Sequence, residues 1–518
     1  MPLRTRFRSV KLSLSDLLGR RYAEAVCEAR SRLAGEPVKR LKAIASRKVD
    51  FFPRAYQERL LRLLPRVGQA MAPALVNSAR GAASRAFEAA TNTQAAPVSG
   101  FGYFRMGENG KLYLLTKSEH YHALLGHGFP GYRLIETAKA LGIPNATHNN
   151  TRGHITRLLE EELVRLAAGL RRSDRAGLET LLASTSPSAL NRVLNLQTGS
   201  LAAEAALKVL LSRFYRVQSD SPEPKYSGRI PVVVVVGEEA GGLQGNYHGT
   251  TIFAQALRGM WPGLLEGLEK SRMLLVRAVR PNNIGDLENL FGQYEAEPYK
   301  IAGVFYEPVM MNYGALRLSE EFMLRLHELC EKHDAPTVAD EIQTCVWSPR
   351  IYFLREYGVR PSIVVVGKGF SGGEYPASRI LCTSVLDTLP QFGALVTNGQ
   401  EELASLSYLV TIRWAEANAE VTRKVGEHYE ERLRALAEDY PRVFSSIQGR
   451  RHLVGLHFHD LESGKTFARR LNEAGLDISL QTYKTSVPPC ALTKLPITVG
   501  YEAVDVVIAK MRAALKGI

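Results

Sequence analysis

Between about residue 155 and residue 400, short Val- and Ile-rich runs alternate with longer stretches whose apolar residues recur every three or four positions. The runs at 230–237, 273–279, 301–309, 337–342, 363–367 and 379–382 are almost continuously apolar. A strand has this character when helices cover both of its faces. The stretches between them have the spacing of amphipathic helices: in 320–333, Phe322, Met323, Leu326 and Leu329 form one stripe. Such alternation predicts an α/β fold around a mainly parallel sheet. A long helix is expected over 401–418, leading into a smaller α+β region.

The first 95 residues follow a different rule. Leu14, Leu17, Leu18, Tyr22 and Val26 recur at helical spacing, Leu60, Leu61, Leu63 and Leu64 cluster further on, and Pro53 and Pro65 interrupt. This segment reads as helical, and the small, polar stretch 89–100 as a linker. It also holds most of the charge. The formal net charge is +14, and residues 1–100 contain 19 Lys/Arg against 7 Asp/Glu. The excess therefore describes an attached segment: a solvated helical face or packing strap, or a docking surface for an acidic partner of residues 1–95. An Arg-rich, acid-poor start also occurs in transit peptides, although a basic helical extension is the more frequent origin.

Composition narrows the class further. With 518 residues, 45% hydrophobic and 23% charged, the chain is neither disordered nor collagen-like, and no apolar run approaches the roughly 20 residues of a membrane-spanning helix. Five scattered cysteines without CxxC spacing argue against a disulfide framework or a structural zinc site and for a reducing compartment, here the cytoplasm. No metal ligand set, internal repeat or low-complexity tract is evident.

Four constellations carry candidate chemistry. Gln197-Thr198-Gly199-Ser200 precedes a strong helix former, so its amides and hydroxyls suit a phosphate; an ordinary serine N-cap gives the same pattern. Tyr247-His248-Gly249, after the Gly-rich 240–246, offers an aromatic that could stack on a planar ring, or a structural loop. Asp340 closes an apolar run, where an acid meets a ligand at the carboxyl end of a strand or caps the next helix. Lys368 stands between glycines after the apolar run 363–366, where burial would lower its pKa and expose a nucleophilic amine; a solvent-facing loop lysine is the alternative. In this order the four match what pyridoxal phosphate requires: a phosphate cup, a ring stack, a carboxylate for the pyridine nitrogen and an amine.

The chain resembles the class III aminotransferases, fold type I pyridoxal-phosphate enzymes, over residues 101–518. The segment 108–130 is similar to that family's opening motif. Thr198-Gly199-Ser200 with Glu204-Ala205-Ala206-Leu207-Lys208 resembles its phosphate loop and helix, Tyr247-His248-Gly249 its YHG motif, and Glu307-Pro308-Val309 its EPV. Residues 338–344 and 364–378 resemble its DE-x-QTG and GK-x-x-x-GG-x-P motifs, and Thr397-Asn398-Gly399 its threonine–glycine stretch.

This resemblance implies a large domain (161–400) with a seven-stranded-type, mainly parallel sheet. A smaller α+β domain is implied from 101–160 and 401–518, after the basic helical extension 1–100. It implies that Lys368 forms the aldimine and shuttles the proton, and that Asp340 keeps the ring nitrogen protonated. Gln343 would sit near the ring's 3-oxygen and Tyr247 would stack on the ring. Gly199 and Ser200 would hold the phosphate, with Thr198, His248 and Glu307 also in the cofactor site. Thr397 would complete the other subunit's phosphate site in a homodimer with shared sites. The expected activity is amino-group transfer between a small amine or amino-acid donor and a carbonyl acceptor; an aminomutase, epimerase or decarboxylase of the same fold, or a non-catalytic scaffold acting through the arm, are the alternatives.

The family pattern is broken on the substrate side. Thr250 replaces the arginine of YHGRT, Met310-Met311-Asn312 replaces a stretch with an acid, and Cys345-Val346-Trp347 follows QT. Lys494 stands where many members carry a carboxylate-binding arginine, and it lacks the bidentate fork. These departures argue against ornithine, 4-aminobutyrate or acetylornithine as substrate. Met310, Met311 and Trp347 fit either a bulkier substrate or plain packing, and His120, Tyr121 and His122 lie where the family lines its substrate channel.

Overall fold

The computed structural model describes residues 5–90, 93–117, 122–145, 148, 150–238, 246–482 and 487–518. Helices at Leu14–Leu18, Arg20–Ala34, Val38–Ala45 and Arg54–Leu63 form the arm. Ser13 and Asp16 start the first helix with a reciprocal capping box, each side chain accepting from the other's amide. The expected apolar stripe faces inward: Leu14, Leu17 and Leu18 join the main core cluster, and Tyr22 and Val26, partly buried, pack against it; Cys27 and Leu41 belong to the same cluster. Polar contacts fix the docking. The Arg8 amide donates to Asn418 Oδ1 at 2.7 Å, the Thr5 hydroxyl donates to Glu502, and Tyr22 stacks on His154 at 4.2 Å between ring centres. The arm is thus a packed layer whose cations Arg21, Arg40, Arg59 and Arg62 face outward.

Two expectations about this region change. The described residues over 67–84 contain no helix. The second half of the expected linker is a strand: Pro97–Phe101 pairs antiparallel with Phe104–Gly107, beside Leu112–Leu114. Its side chains are exposed, so no apolar alternation marked it.

The centre of the molecule is a seven-stranded sheet of β1 (Leu190–Leu196), β2 (Ile230–Val236), β3 (Leu275–Val279), β4 (Tyr299–Tyr306), β5 (Thr337–Asp340), β6 (Ile363–Val366) and β7 (Ser378–Thr383), in the order β1-β7-β6-β5-β4-β2-β3. Only β7 runs against its neighbours. β2 and β6 are buried at every position, as expected of strands covered on both faces. The run pattern missed β1, whose sequence LNRVLNL mixes polar residues into a strand with several half-buried positions. The helix expected over 401–418 extends from Glu402 to Asp439. Beyond it, a four-stranded antiparallel sheet includes Phe444–Arg450, Leu453–Phe458 and Cys490–Lys494. Among the described residues, no helix is long and apolar enough to cross a membrane.

Glu341, directly after β5, ties this sheet to the following loop. It is fully buried and accepts from the Phe353 amide at 2.8 Å, the Leu354 amide at 2.6 Å and the Thr344 hydroxyl at 3.0 Å. Burial pushes its carboxyl up to about 7. Because the folded pKa is raised, the stability linked to this group is full below the unfolded carboxyl range and is lost as pH rises through about 7. Glu341→Ala leaves buried donors unpaired and should cost about 2–4 kcal/mol, measured by denaturant unfolding. The same variant should lose part of the wild type's decline in stability between weakly acidic and neutral pH.

Candidate active site

The strand order dictates where chemistry gathers. β5 and β6 are parallel neighbours with Asp340 opposite Val365, so both chains leave the sheet at the same edge, β5 on Asp340 and β6 two residues before Lys368. Lys368 takes φ +33°, a conformation a non-glycine residue holds only when its surroundings fix it. Gly369 then packs closely against the Trp347 indole: a Cβ at this position would come within 2.6 Å of Trp347 Cζ3. These strand ends open into a cavity of about 260 Å³.

Asp340 is buried, and a carboxylate stays charged there only if it is paired. His248 Nδ1 lies 2.7 Å from one oxygen, and the Ile342 amide donates to the other at 3.1 Å. A carboxylate can only accept, so Nδ1 carries the proton. His248 Nε2 is buried and has no hydrogen-bond partner among the described residues. Glu307 stands beside this pair, and one ligand atom from each of His248, Glu307 and Asp340 lies within 4.8 Å of the others. Burial, and then the Asp340 charge, push the Glu307 carboxyl well up; Lys368 pulls the other way. Burial lowers the Lys368 amine, against the opposing pull of Glu307 and Asp340. This end of the cavity therefore favours a cationic group on a ligand, with a nucleophilic amine beside it.

The opposite end is built for an anion. Thr198, in an extended conformation, caps the helix Gly199–Leu211 by accepting from the Leu201 amide at 3.4 Å. The cap is Thr198, which leaves the Ser200 hydroxyl in the first turn to accept from the Thr250 amide at 3.0 Å. Gly199 admits the close approach of Ile342, whose Cδ1 would lie 2.5 Å from a Cβ there. First-turn amides, the positive end of the helix and two hydroxyls meet at one spot.

Thr198, Gly199, Ser200, Tyr247, His248, Glu307, Asp340, Gln343 and Lys368 all line this one cavity. Tyr247 has the Arg258 guanidinium over its ring at 5.4 Å, and Gln343 presents a buried Oε1 without a partner among the described residues. Thr397 is exposed and lines no part of it. His122 lines the wall, whereas His120, Tyr121 and residues 240–245 lie outside the described residues. Met310, Met311 and Trp347 are buried in the core and Asn312 is not at the cavity, which settles the first three as packing. Lys494 is also absent from the wall. Ser371, Tyr375, Pro376 and Ala377 do line it and were not singled out; their signal was their place in the glycine-rich stretch after Lys368.

The donor set fits pyridoxal phosphate. Buried polar atoms without partners (His248 Nε2, Gln343 Oε1), a paired carboxylate, a phosphate-type helix start and a half-buried amine surround a space of suitable size.

Residues 114–514 match the family described as aminotransferase class-III. An ornithine aminotransferase of Staphylococcus epidermidis is 26% identical over 333 residues, which are 62% of this chain and 76% of that protein. Ornithine aminotransferase 2 of Staphylococcus aureus is also 26% identical, over 62% of this chain and 74% of its own. Among solved structures, a Bacillus anthracis aminotransferase superposes with a TM-score of 0.66 at 17% identity, covering 90% of this chain and all of the other. The adenosylmethionine-8-amino-7-oxononanoate aminotransferase of Methanocaldococcus jannaschii gives 0.65 at 18% identity, over 89% and 99%. At these identities the structural likeness concerns the fold.

Because burial lowers its pKa, Lys368 in cofactor-free protein should react with an acylating reagent at lower pH than exposed lysines, followed by peptide mass spectrometry across a pH series. A Lys368 midpoint equal to that of Lys270, an exposed lysine, would contradict the burial argument.

Proposed function

The chain belongs to the class III aminotransferases and is a pyridoxal-phosphate-dependent enzyme, and from that premise we propose that Lys368 and Asp340 are its catalytic residues. The observation that carries this reading is the convergence of Lys368, the buried Asp340–His248 pair and the Thr198–Ser200 helix start on one cavity. The cofactor, when bound, supplies an aldehyde for the donor's amine and a ring that accepts the electron pair released from the donor's carbon.

The protein's part follows from its own groups. Thr198, Gly199 and Ser200 bind the phosphate through amides and hydroxyls. Tyr247 and Gln343, which both line the cavity, would hold the cofactor's ring and its hydroxyl side. Asp340, oriented by its contact with His248, would pair with the protonated ring nitrogen; Glu307, pushed towards its neutral form, adds little competing charge. Lys368 Nζ, shifted towards the neutral amine by burial, would act as the base that takes the proton from the donor's amine-bearing carbon and carries it through a 1,3-shift.

The exposed position of Thr397, outside its own chain's cavity, supports a role at the phosphate of a second subunit, and so a homodimer with shared sites. The same reading divides the chain into an extension (1–100), a large domain (161–400) and a small domain formed by 101–160 and 401–518. Five cysteines, all buried and none in a disulfide, support a cytoplasmic location.

The test is spectroscopic. Wild type with added pyridoxal phosphate should show the visible band of a lysine-bound cofactor, and an amine donor alone should convert it to the pyridoxamine form. Lys368→Ala should lack the band. Asp340→Ala should bind cofactor but turn over about 10²-fold or more slowly. A lysine-bound band that no amine donor converts to the pyridoxamine form would favour a mutase, epimerase or decarboxylase, and wild-type turnover in Lys368→Ala would overturn the reading.

A further inference from the structure

A second amine is buried close behind the cavity. Lys494 ends the strand Cys490–Lys494 and has no solvent exposure. It takes no part in the cavity wall, where a substrate's carboxylate would have to meet it. Its Nζ donates to the main-chain carbonyl of Gln343 and stands 3.8 Å from the centre of the Trp347 ring. The next residue holds the same indole, since Trp347 Nε1 donates to the Leu495 carbonyl at 3.0 Å. Trp347 is the surface on which Gly369 lies, directly after Lys368, and Gln343 is the residue whose side chain faces the cavity. One strand end therefore holds both Gln343, a residue of the cavity wall, and the indole that packs against Gly369 beside Lys368.

Burying an ammonium is costly, and an apolar residue of similar length would fill this volume without that cost. Burial, and then the charge of Lys368, lower the Lys494 amine, so the two amines stand within electrostatic reach. We propose that Lys494 is a positioning residue for Lys368: by locking the Gln343 carbonyl and the Trp347 indole it fixes the backbone at 367–369 that aims the Lys368 amine into the cavity. This proposal rests on the assignment of Lys368 as the cofactor-binding lysine. It also removes Lys494 from substrate recognition.

Two variants test it. Lys494→Met keeps an unbranched side chain and deletes the hydrogen-bond donor; Lys494→Arg keeps a donor with a different reach. The readouts are the melting temperature, pyridoxal phosphate affinity of cofactor-free protein, the visible band, and kcat and KM separately. Lys494→Met should fold, bind the cofactor about 10-fold or more weakly, shift or broaden the band, and lose about 10²-fold in kcat with KM little changed. Lys494→Arg should recover part of the band and of kcat. Unchanged cofactor affinity and band, with KM raised only for a carboxylate-bearing substrate, would overturn the proposal in favour of a substrate ligand.

Should Lys494→Met fail to fold, Trp347→Phe, which keeps a ring but loses the bond to Leu495, decides: weakened cofactor uptake supports the clamp, and wild-type uptake refutes it. Absence of the band in wild type itself would overturn the Lys368 assignment and this proposal together. A loss confined to the Lys494 and Trp347 variants leaves that assignment intact.

Discussion

The site depends on a carboxylate and an imidazole paired inside the protein. Asp340 lies at the end of a strand that is buried along its length, where an unpaired charge would be neutralised or excluded. The 2.7 Å contact with His248 and the Ile342 amide compensate it, and the imidazole is held in turn against Phe305. Every other element of the cavity is arranged around this pair. Lys368 reaches it from the adjacent parallel strand, and Glu307 borders it. The helix start at Gly199 closes against Ile342, two residues after the aspartate. A parallel sheet makes such convergence easy, because neighbouring strands release their chains at the same edge.

Close approach of backbones does the remaining work. Gly199 against Ile342, Gly249 against Ser200 and Gly369 against Trp347 are places where a Cβ would meet another atom at 2.5–2.8 Å. They bring the phosphate-type end, the His248 loop and the lysine loop near enough to serve one ligand. Among the described residues, the C-terminal region approaches the site from behind, through Lys494 and Leu495 on Trp347. Among the described residues, the N-terminal arm lines no part of the cavity and contributes to the core through Leu14, Leu17 and Leu41.

Much of this was legible in the sequence because the strong signals are local. Apolar runs mark strands buried on both faces, and the chemistry sits where those runs stop, so Asp340 and Lys368 could be picked out by position alone. β1 escaped because its burial is partial and its sequence polar, and the strand Pro97–Phe101 because its face is exposed. Long-range geometry was the second blind spot. Nothing near His248 in the chain reveals its bond to Asp340, 92 positions away, and nothing near Lys494 reveals that it turns towards Gln343. Trp347 was ambiguous between packing and substrate contact for the same reason. Its role appears only when Gly369 is seen lying on its ring.

The central claim is that one particular lysine, at the end of β6, carries the cofactor. Reduction of the holoenzyme with borohydride joins cofactor and lysine permanently, and peptide mass spectrometry then locates the modified residue. The account predicts a single modification, on Lys368. A label on Lys494 or any other lysine, or no label in protein that retains the cofactor, would contradict it.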